Sequence, residues 1–136
     1  EGSISLSVLK DTAAHKRTFT TQEDLTVTLP EEAGSLHRIS DLTKVEQYNV
    51  KSDPTDDIIL HWGLVEVTRS NGTGYTKTIS AENPVMIKKS CNEKVSGIVN
   101  FVNKNNKSWT VDYGNGDCDG VANMTKNGQT KEIPAK

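Results

Sequence analysis

The sequence predicts an all-β protein, a single antiparallel β-sandwich or rolled β-meander with tight hairpins. Apolar and polar residues alternate in several segments, Asn-Gly pairs separate some of them, and Thr, Ser and Asn supply 37 of the 136 residues. Thr favours strands and Asn favours turns. A chain of this length buries one modest core. We therefore treat residues 1–136 as one β domain, in which residues 1–57 contribute N-terminal strands and a loop and residues 58–136 form a hairpin-rich core.

Strict alternation marks two strands near the N-terminus. Ile4, Leu6 and Val8 are separated by serines, and the segment 25–29 alternates Leu and Val with threonines. A repeat of two residues is typical of strands that have one apolar face. Pro30 ends the second strand, because its ring cannot donate to a ladder of hydrogen bonds.

The segment that follows has a different spacing. Leu36, Ile39 and Leu42 recur every three residues, a spacing closer to a helix than to a strand. We expect residues 31–47 to form a loop with one or two helical turns. Residues 51–57 contain three Asp residues and Pro54, which indicates a turn.

Hairpin signals dominate the remainder of the chain. Asn71–Gly72 and Asn127–Gly128 are residue pairs that favour the positive φ angles of tight hairpin turns. The predicted strands around these and other turns are 58–68, 75–80, 85–88, 95–102, 109–113, 121–125 and 130–133.

One further turn allows a register to be predicted. If Asn105–Asn106 is the central pair, Val102 faces Trp109 and Ile98 faces Tyr113, with Asn100 opposite Val111 between them. This register places most of the large apolar side chains on one face, as a half-buried hairpin requires.

The two cysteines are predicted to form a disulfide. Extending this ladder brings Cys91 and Cys118 nearly opposite each other. The alternative is two buried free thiols in a cytosolic protein. An even cysteine count and the matching register favour the disulfide, and with it an oxidising compartment.

Several function classes are excluded or unsupported. A net charge of −2 argues against a nucleic-acid partner, and no apolar run approaches the length of a membrane span. His15, His37 and His61 have no zinc-type spacing, and no nucleophile or phosphate-loop motif is present. We therefore assign no catalytic, cofactor-binding or metal-binding residues.

Two alternatives remain for particular residues. Asn115, Asp117, Asp119 and Gly120 match the first half of a calcium loop, but position twelve is Lys126 instead of a bidentate Glu. A turn rich in Asn, Asp and Gly explains the same residues better.

Four aromatic residues also have two interpretations. An exposed aromatic face would suit a sugar or peptide ligand, whereas core packing is the simpler use in a chain with few aromatic residues. These residues are Trp62, Tyr75, Trp109 and Tyr113.

The C-terminal half carries a family resemblance. The segments 91–99, 108–119 and 127–133 contain, in order, a strand-borne Cys, a Ser-Gly step, an Asp-Tyr-Gly-Asn-Gly-Asp-Cys-Asp run and an Asn-Gly hairpin. In these features the chain resembles uncharacterised β-rich lipoproteins of Bacteroidetes-type gut bacteria. The resemblance implies a secreted cell-envelope protein, peripheral to the membrane through a lipid-anchored cysteine that would precede Glu1.

The expected function is non-catalytic. We expect a secreted or lipid-anchored cell-surface protein, on the outer membrane or in the periplasm, that binds a glycan or a protein partner. The alternative is a structural subunit of a pilus-like assembly, with Ile4–Val8 donated as a strand to a neighbour. A polysaccharide hydrolase comes third, and it requires two carboxylates about 5 to 10 Å apart in a cleft.

Overall fold

The computed structural model describes residues 1–31, 33–48 and 57–136, and within them ten antiparallel strands form one sheet. The prediction of an all-β fold is confirmed. The strands are β1 (Gly2–Asp11), β2 (Lys16–Thr28), β3 (Ser35–Gln47), β4 (Ile58–Arg69), β5 (Gly74–Ile79), β6 (Val85–Lys88), β7 (Glu93–Asn103), β8 (Ser108–Asn115), β9 (Val121–Lys126) and β10 (Gln129–Pro134).

Strand order follows the chain with one exception. Neighbours in the sheet run β1-β2-β3-β4-β5-β7-β8-β9-β10, and the short β6 pairs with one end of β4 and of β7. Both predicted Asn-Gly hairpins form, and the second turn has φ angles of 53° at Asn127 and 74° at Gly128. These angles match the two-residue turn whose twist suits antiparallel strands.

The hydrophobic core lies on one face of the C-terminal strands. Residues directly opposite each other in an antiparallel pair share a face, and the register links Ile79, Val99 and Val111 across β5, β7 and β8. We call this side the inner face and the opposite side the outer face. Val85 and Val95 are completely buried, so the strands from β4 onward hold the core.

The strands β1–β3 form a single layer that we call the open sheet. Their main contacts are with the strands beside them in the sheet, and every residue of β1 is exposed. Ile4, Leu6 and Val8 lie on the inner face with exposed fractions of 63%, 61% and 55%. Large apolar side chains thus face solvent in a regular row.

The expectation of a loop with helical turns over residues 31–47 is wrong, because most of this segment is β3. Leu36 and Leu42 lie on the inner face, and Ile39 lies on the outer face with 39% of its surface exposed. Neither face of the open sheet is fully buried, so apolar residues need not repeat every two positions. The three-residue spacing of Leu36, Ile39 and Leu42 therefore did not indicate a helix.

The predicted register of the β7–β8 hairpin is wrong by one residue. Phe101, not Val102, lies opposite Trp109, and the other predicted pairs shift in the same way. The N–H of Asn103 donates to the carbonyl of Lys107 (2.9 Å), which leaves three loop residues, the last with φ of 59°. Three-residue loops of this kind are favoured in hairpins. The expected turn at residues 51–57 lies almost entirely outside the described residues.

Candidate interaction surface

The predicted disulfide is confirmed. Cys91 follows β6, Cys118 lies between β8 and β9, and their Cα atoms are 6.1 Å apart. Disulfides persist in oxidising compartments such as the periplasm and the cell exterior. The bridge therefore indicates an extracytoplasmic protein.

Hydrogen bonds fix the same corner of the fold. The ammonium of Lys88 donates to the carbonyl of Gly116 (2.6 Å), and the N–H of Gly120 donates to the carboxylate of Glu93 (3.0 Å). The N–H of Ala135 donates to the carbonyl of Gly120 (3.0 Å). The disulfide thus lies in a structural corner that ties the end of the chain to the loops beside it.

The calcium-loop residues are used in local turns. Asn115 accepts a hydrogen bond from the N–H of Asp117 (3.4 Å), and Asp119 accepts one from the N–H of Val121 (3.1 Å). Side chains that bond to the backbone two residues onward are typical of Asx turns. Across residues 1–31, 33–48 and 57–136, no group of three or more His, Cys, Asp or Glu side chains is placed to hold a metal ion.

The four aromatic residues do not form a flat exposed platform. Trp62 and Tyr113 pack against the core cluster. Trp109 stacks on Phe101, with ring centroids 5.2 Å apart and ring planes 6° apart. The ring centroid of Tyr75 lies 6.3 Å from that of Phe101. All are half-buried, so core packing and mutual stacking account for most of their surface.

A groove crosses the inner face where the open sheet joins β4. Its volume is about 470 Å³, and none of the described strands covers it. The residues that line it are Leu6, Phe19, Thr21, Leu42, Thr43, Lys44 and His61. Its floor is thus mainly apolar and is shared by the first four strands.

Ion pairs border the apolar floor at both ends. At one end Glu46 binds Arg17 (2.8 Å) and Lys44 (3.1 Å), and at the other Glu23 binds Arg38 (2.7 Å). An apolar centre with a polar rim is the usual anatomy of a protein interface. The inner face of the open sheet has this arrangement.

Several positively charged side chains lie near His61, which lines the groove. Burial lowers the pKa of His61 below its usual 6.5, and the nearby ammonium groups of Lys77 and Lys94 lower it further. Burial also lowers the pKa of Lys77, with Lys94 and Arg38 as additional causes. Burial, with the neighbouring cations as a smaller cause, therefore favours the neutral form of His61.

Removing one of these cations is expected to raise the pKa of His61. In Lys77→Met the pKa should move back toward 6.5, whereas Lys107→Met, in the exposed loop after β7, should leave it unchanged. A group whose folded pKa is depressed contributes stability above its unfolded pKa and loses it as pH falls through the folded value. The wild type should thus lose stability below about pH 6.5, and Lys77→Met should lose less. Titration of the His61 ring protons by NMR and urea unfolding at pH 5 and 8 check both results; an unchanged pKa would contradict the assignment.

The outer edge of β1 presents a row of unpaired backbone groups. Glu1 and Thr26 exchange both backbone hydrogen bonds, each at 2.7 Å. Bonded pairs alternate along an antiparallel ladder, so every odd-numbered residue of β1 bonds to β2. The even-numbered residues turn their N–H and C=O groups outward: Gly2, Ile4, Leu6, Val8 and Lys10.

The other edge of the sheet is protected. β10 has only six residues, and it carries Lys131, Glu132 and Pro134. Short length, charge and proline are the usual devices that prevent edge pairing. β1 has ten residues and lacks proline, and the only charged side chains within it are at its end, on Lys10 and Asp11.

The sequence predicted part of this surface. Ile4–Val8 was expected in a strand, and the structure pairs that strand with β2 of the same chain. The contributions of Phe19 and Leu42 to the groove were missed, because they depend on β2 and β3 lying side by side over thirteen residues. Only the alternation in β1 pointed to the site.

These features define a class: a disulfide-stabilised, all-β extracytoplasmic protein with one open sheet edge beside an apolar groove. Comparison of the chain with protein-family models, curated proteins and solved structures found no match. Within the described ranges no helix is long and apolar enough to cross a membrane.

Proposed function

We propose that the chain is a non-catalytic protein of the cell envelope that binds a protein partner through its open sheet. The partner would add a strand to the β1 edge, beside the apolar groove. In line with the resemblance of its C-terminal half, the protein would be secreted or lipid-anchored, at the outer-membrane surface or in the periplasm.

The exposed apolar row of β1 carries this proposal. A long, regular edge strand with exposed Ile4, Leu6 and Val8 would promote aggregation if it stayed uncovered. Strand addition gives affinity through the backbone and specificity through alternate side chains. The arrangement of one unprotected edge and one protected edge favours a specific partner at β1.

A glycan ligand is the second candidate. The stacked rings of Phe101 and Trp109 on the inner face, with the ammonium of Lys126 5.3 Å from the Trp109 ring, are the observation that favours it. A glycan array probed with wild type and Trp109→Ala tests this candidate. A pilus-like subunit would also use the β1 edge, whereas a polysaccharide hydrolase has no supporting feature among the residues that the structure describes.

Thiol labelling on intact cells tests the proposal. Val8→Cys places a thiol beside the open edge, and Lys131→Cys places a matched thiol on the protected edge; the native disulfide does not react with maleimide. We expect labelling of Val8→Cys to be at least about fivefold slower on cells that produce the protein than in dilute purified protein, because bound partners exclude reagent at an interface.

Lys131→Cys is the control for the labelling of Val8→Cys. Lys131→Cys should label at the same rate on cells and in purified protein. Equal rates for Val8→Cys in the two settings would show that the edge is unoccupied in the cell and would contradict the proposed function.

A further inference from the structure

We infer that the partner at the β1 edge is a second copy of this chain, paired strand to strand through β1 about a two-fold axis at Leu6. This inference rests on the proposed function and identifies the occupant of the same surface. Three observations carry it: the symmetry of the outward backbone groups, the side chains that the pairing brings together, and the protection of the opposite edge.

The outward-facing residues of β1 are symmetric about Leu6. With Leu6 opposite Leu6 of the second copy, Ile4 lies opposite Val8 and Gly2 lies opposite Lys10. Every outward N–H then meets a carbonyl, which gives about ten intermolecular hydrogen bonds. If the register shifts by two residues, one outward-facing residue of each copy has no partner. If it shifts by one, outward-facing residues lie opposite residues whose backbone groups already bond to β2.

The same register brings compatible side chains together. On the inner face, Leu6 packs on its copy and Ile4 packs on Val8, so three side chains more than half exposed in one chain gain cross-strand neighbours. On the outer face Ser5 lies opposite Ser7, and Ser3 lies opposite Leu9. Ser3–Leu9 carries no charged side chain, so no like charges oppose each other along the centre of the strand.

Because the β10 edge is protected, pairing through β1 ends at two copies. Addition of β1 to β10 of another copy would produce a filament, but Pro134 lacks a donor and Lys131 and Glu132 are exposed on that strand. Pairing of β1 with β1 uses the same surface on both copies and ends with two chains. The structure therefore favours a two-fold dimer over a polymer.

The size of the contact sets its strength. A strand of ten residues is about 34 Å long and a sheet is about 10 Å thick, so pairing covers about 340 Å² of each copy in cross-section. Stable interfaces cover about 800 Å² per partner. The dimer is thus weak in dilute solution, and chains held on one membrane surface would pair through their high local concentration.

Register-specific cross-linking tests the inference on the full chain. In Leu6→Cys the paired Cα atoms would be about 5.5 Å apart, within the range of a disulfide. In the matched variant Ile4→Cys the same residues of the two copies would be about 14 Å apart. Under mild oxidation in the millimolar range we expect at least about tenfold more covalent dimer for Leu6→Cys, and renewed dimer for Ile4→Cys combined with Val8→Cys.

Two results would overturn it. One is equal cross-linking of Leu6→Cys and Ile4→Cys. The other is a lack of covalent dimer together with a monomeric wild type by sedimentation at millimolar concentration. If Val8→Cys is nevertheless shielded on cells, the partner is a different protein: the proposed function then stands and this inference fails. Amide exchange gives an independent readout, since protection of the Leu6 amide should rise with concentration while that of Ser5 stays constant.

Discussion

Replacing both cysteines, as Cys91→Ser with Cys118→Ser, is expected to lower the free energy of unfolding by about 3.5 kcal/mol. The bridge spans 27 residues, and in the chain-entropy model the loss of such a loop constraint costs about this amount. Domains of this size have stabilities of about 5–15 kcal/mol, so the effect is a large share of the total. Urea unfolding of the variant and the wild type without reductant measures it.

The reduced wild type is the matched control for this variant. Its stability in the presence of reductant should equal that of the double variant within about 1 kcal/mol, because both lack the same constraint. A double variant as stable as the oxidised wild type would show that the corner is held by its hydrogen bonds alone. Those bonds are the contacts of Lys88 with Gly116, of Gly120 with Glu93 and of Ala135 with Gly120.

The sequence was most informative where local chemistry determines the backbone. Asn127 and Gly128 predict their turn because few other residues accept two successive positive φ angles. The short β6 was also found with its observed limits, Val85–Lys88. In the β7–β8 hairpin, by contrast, two adjacent asparagines allowed more than one turn centre, and the single-residue error followed from that choice.

The candidate surface was harder to predict because it is defined by what is missing. A strand with one buried face must alternate, and this constraint makes its sequence readable. Among the described residues no layer covers the open sheet, so Phe19 and Leu42 lie among polar residues without a regular pattern. Which edge remains unpaired depends on the position of β1 in the sheet, and that position results from contacts far apart in the sequence.

Substitution of Gly97 is expected to cause the second large loss of stability. This residue lies at the register irregularity between Ser96 and Ile98. Gly97 has φ of 100°, and a Cβ added there would meet the carbonyl oxygen of Pro84 and would lie 2.6 Å from the Cα of Val85. Val85 is completely buried, so its backbone cannot withdraw without opening the core. Gly97→Ala should therefore combine the cost of a left-handed backbone, about 1–2 kcal/mol, with overpacking of about 1–3 kcal/mol.

Gly128→Ala separates these two contributions. Gly128 also has a positive φ, 74°, but an added Cβ would meet no atom within 4 Å, so only the backbone cost of about 1–2 kcal/mol applies. The free energy of unfolding measured in urea should be lowest for Gly97→Ala, higher for Gly128→Ala and highest for the wild type. Equal losses would mean that β6 shifts away from β7 at no cost. The core would then be looser at this corner than the complete burial of Val85 and Val95 requires.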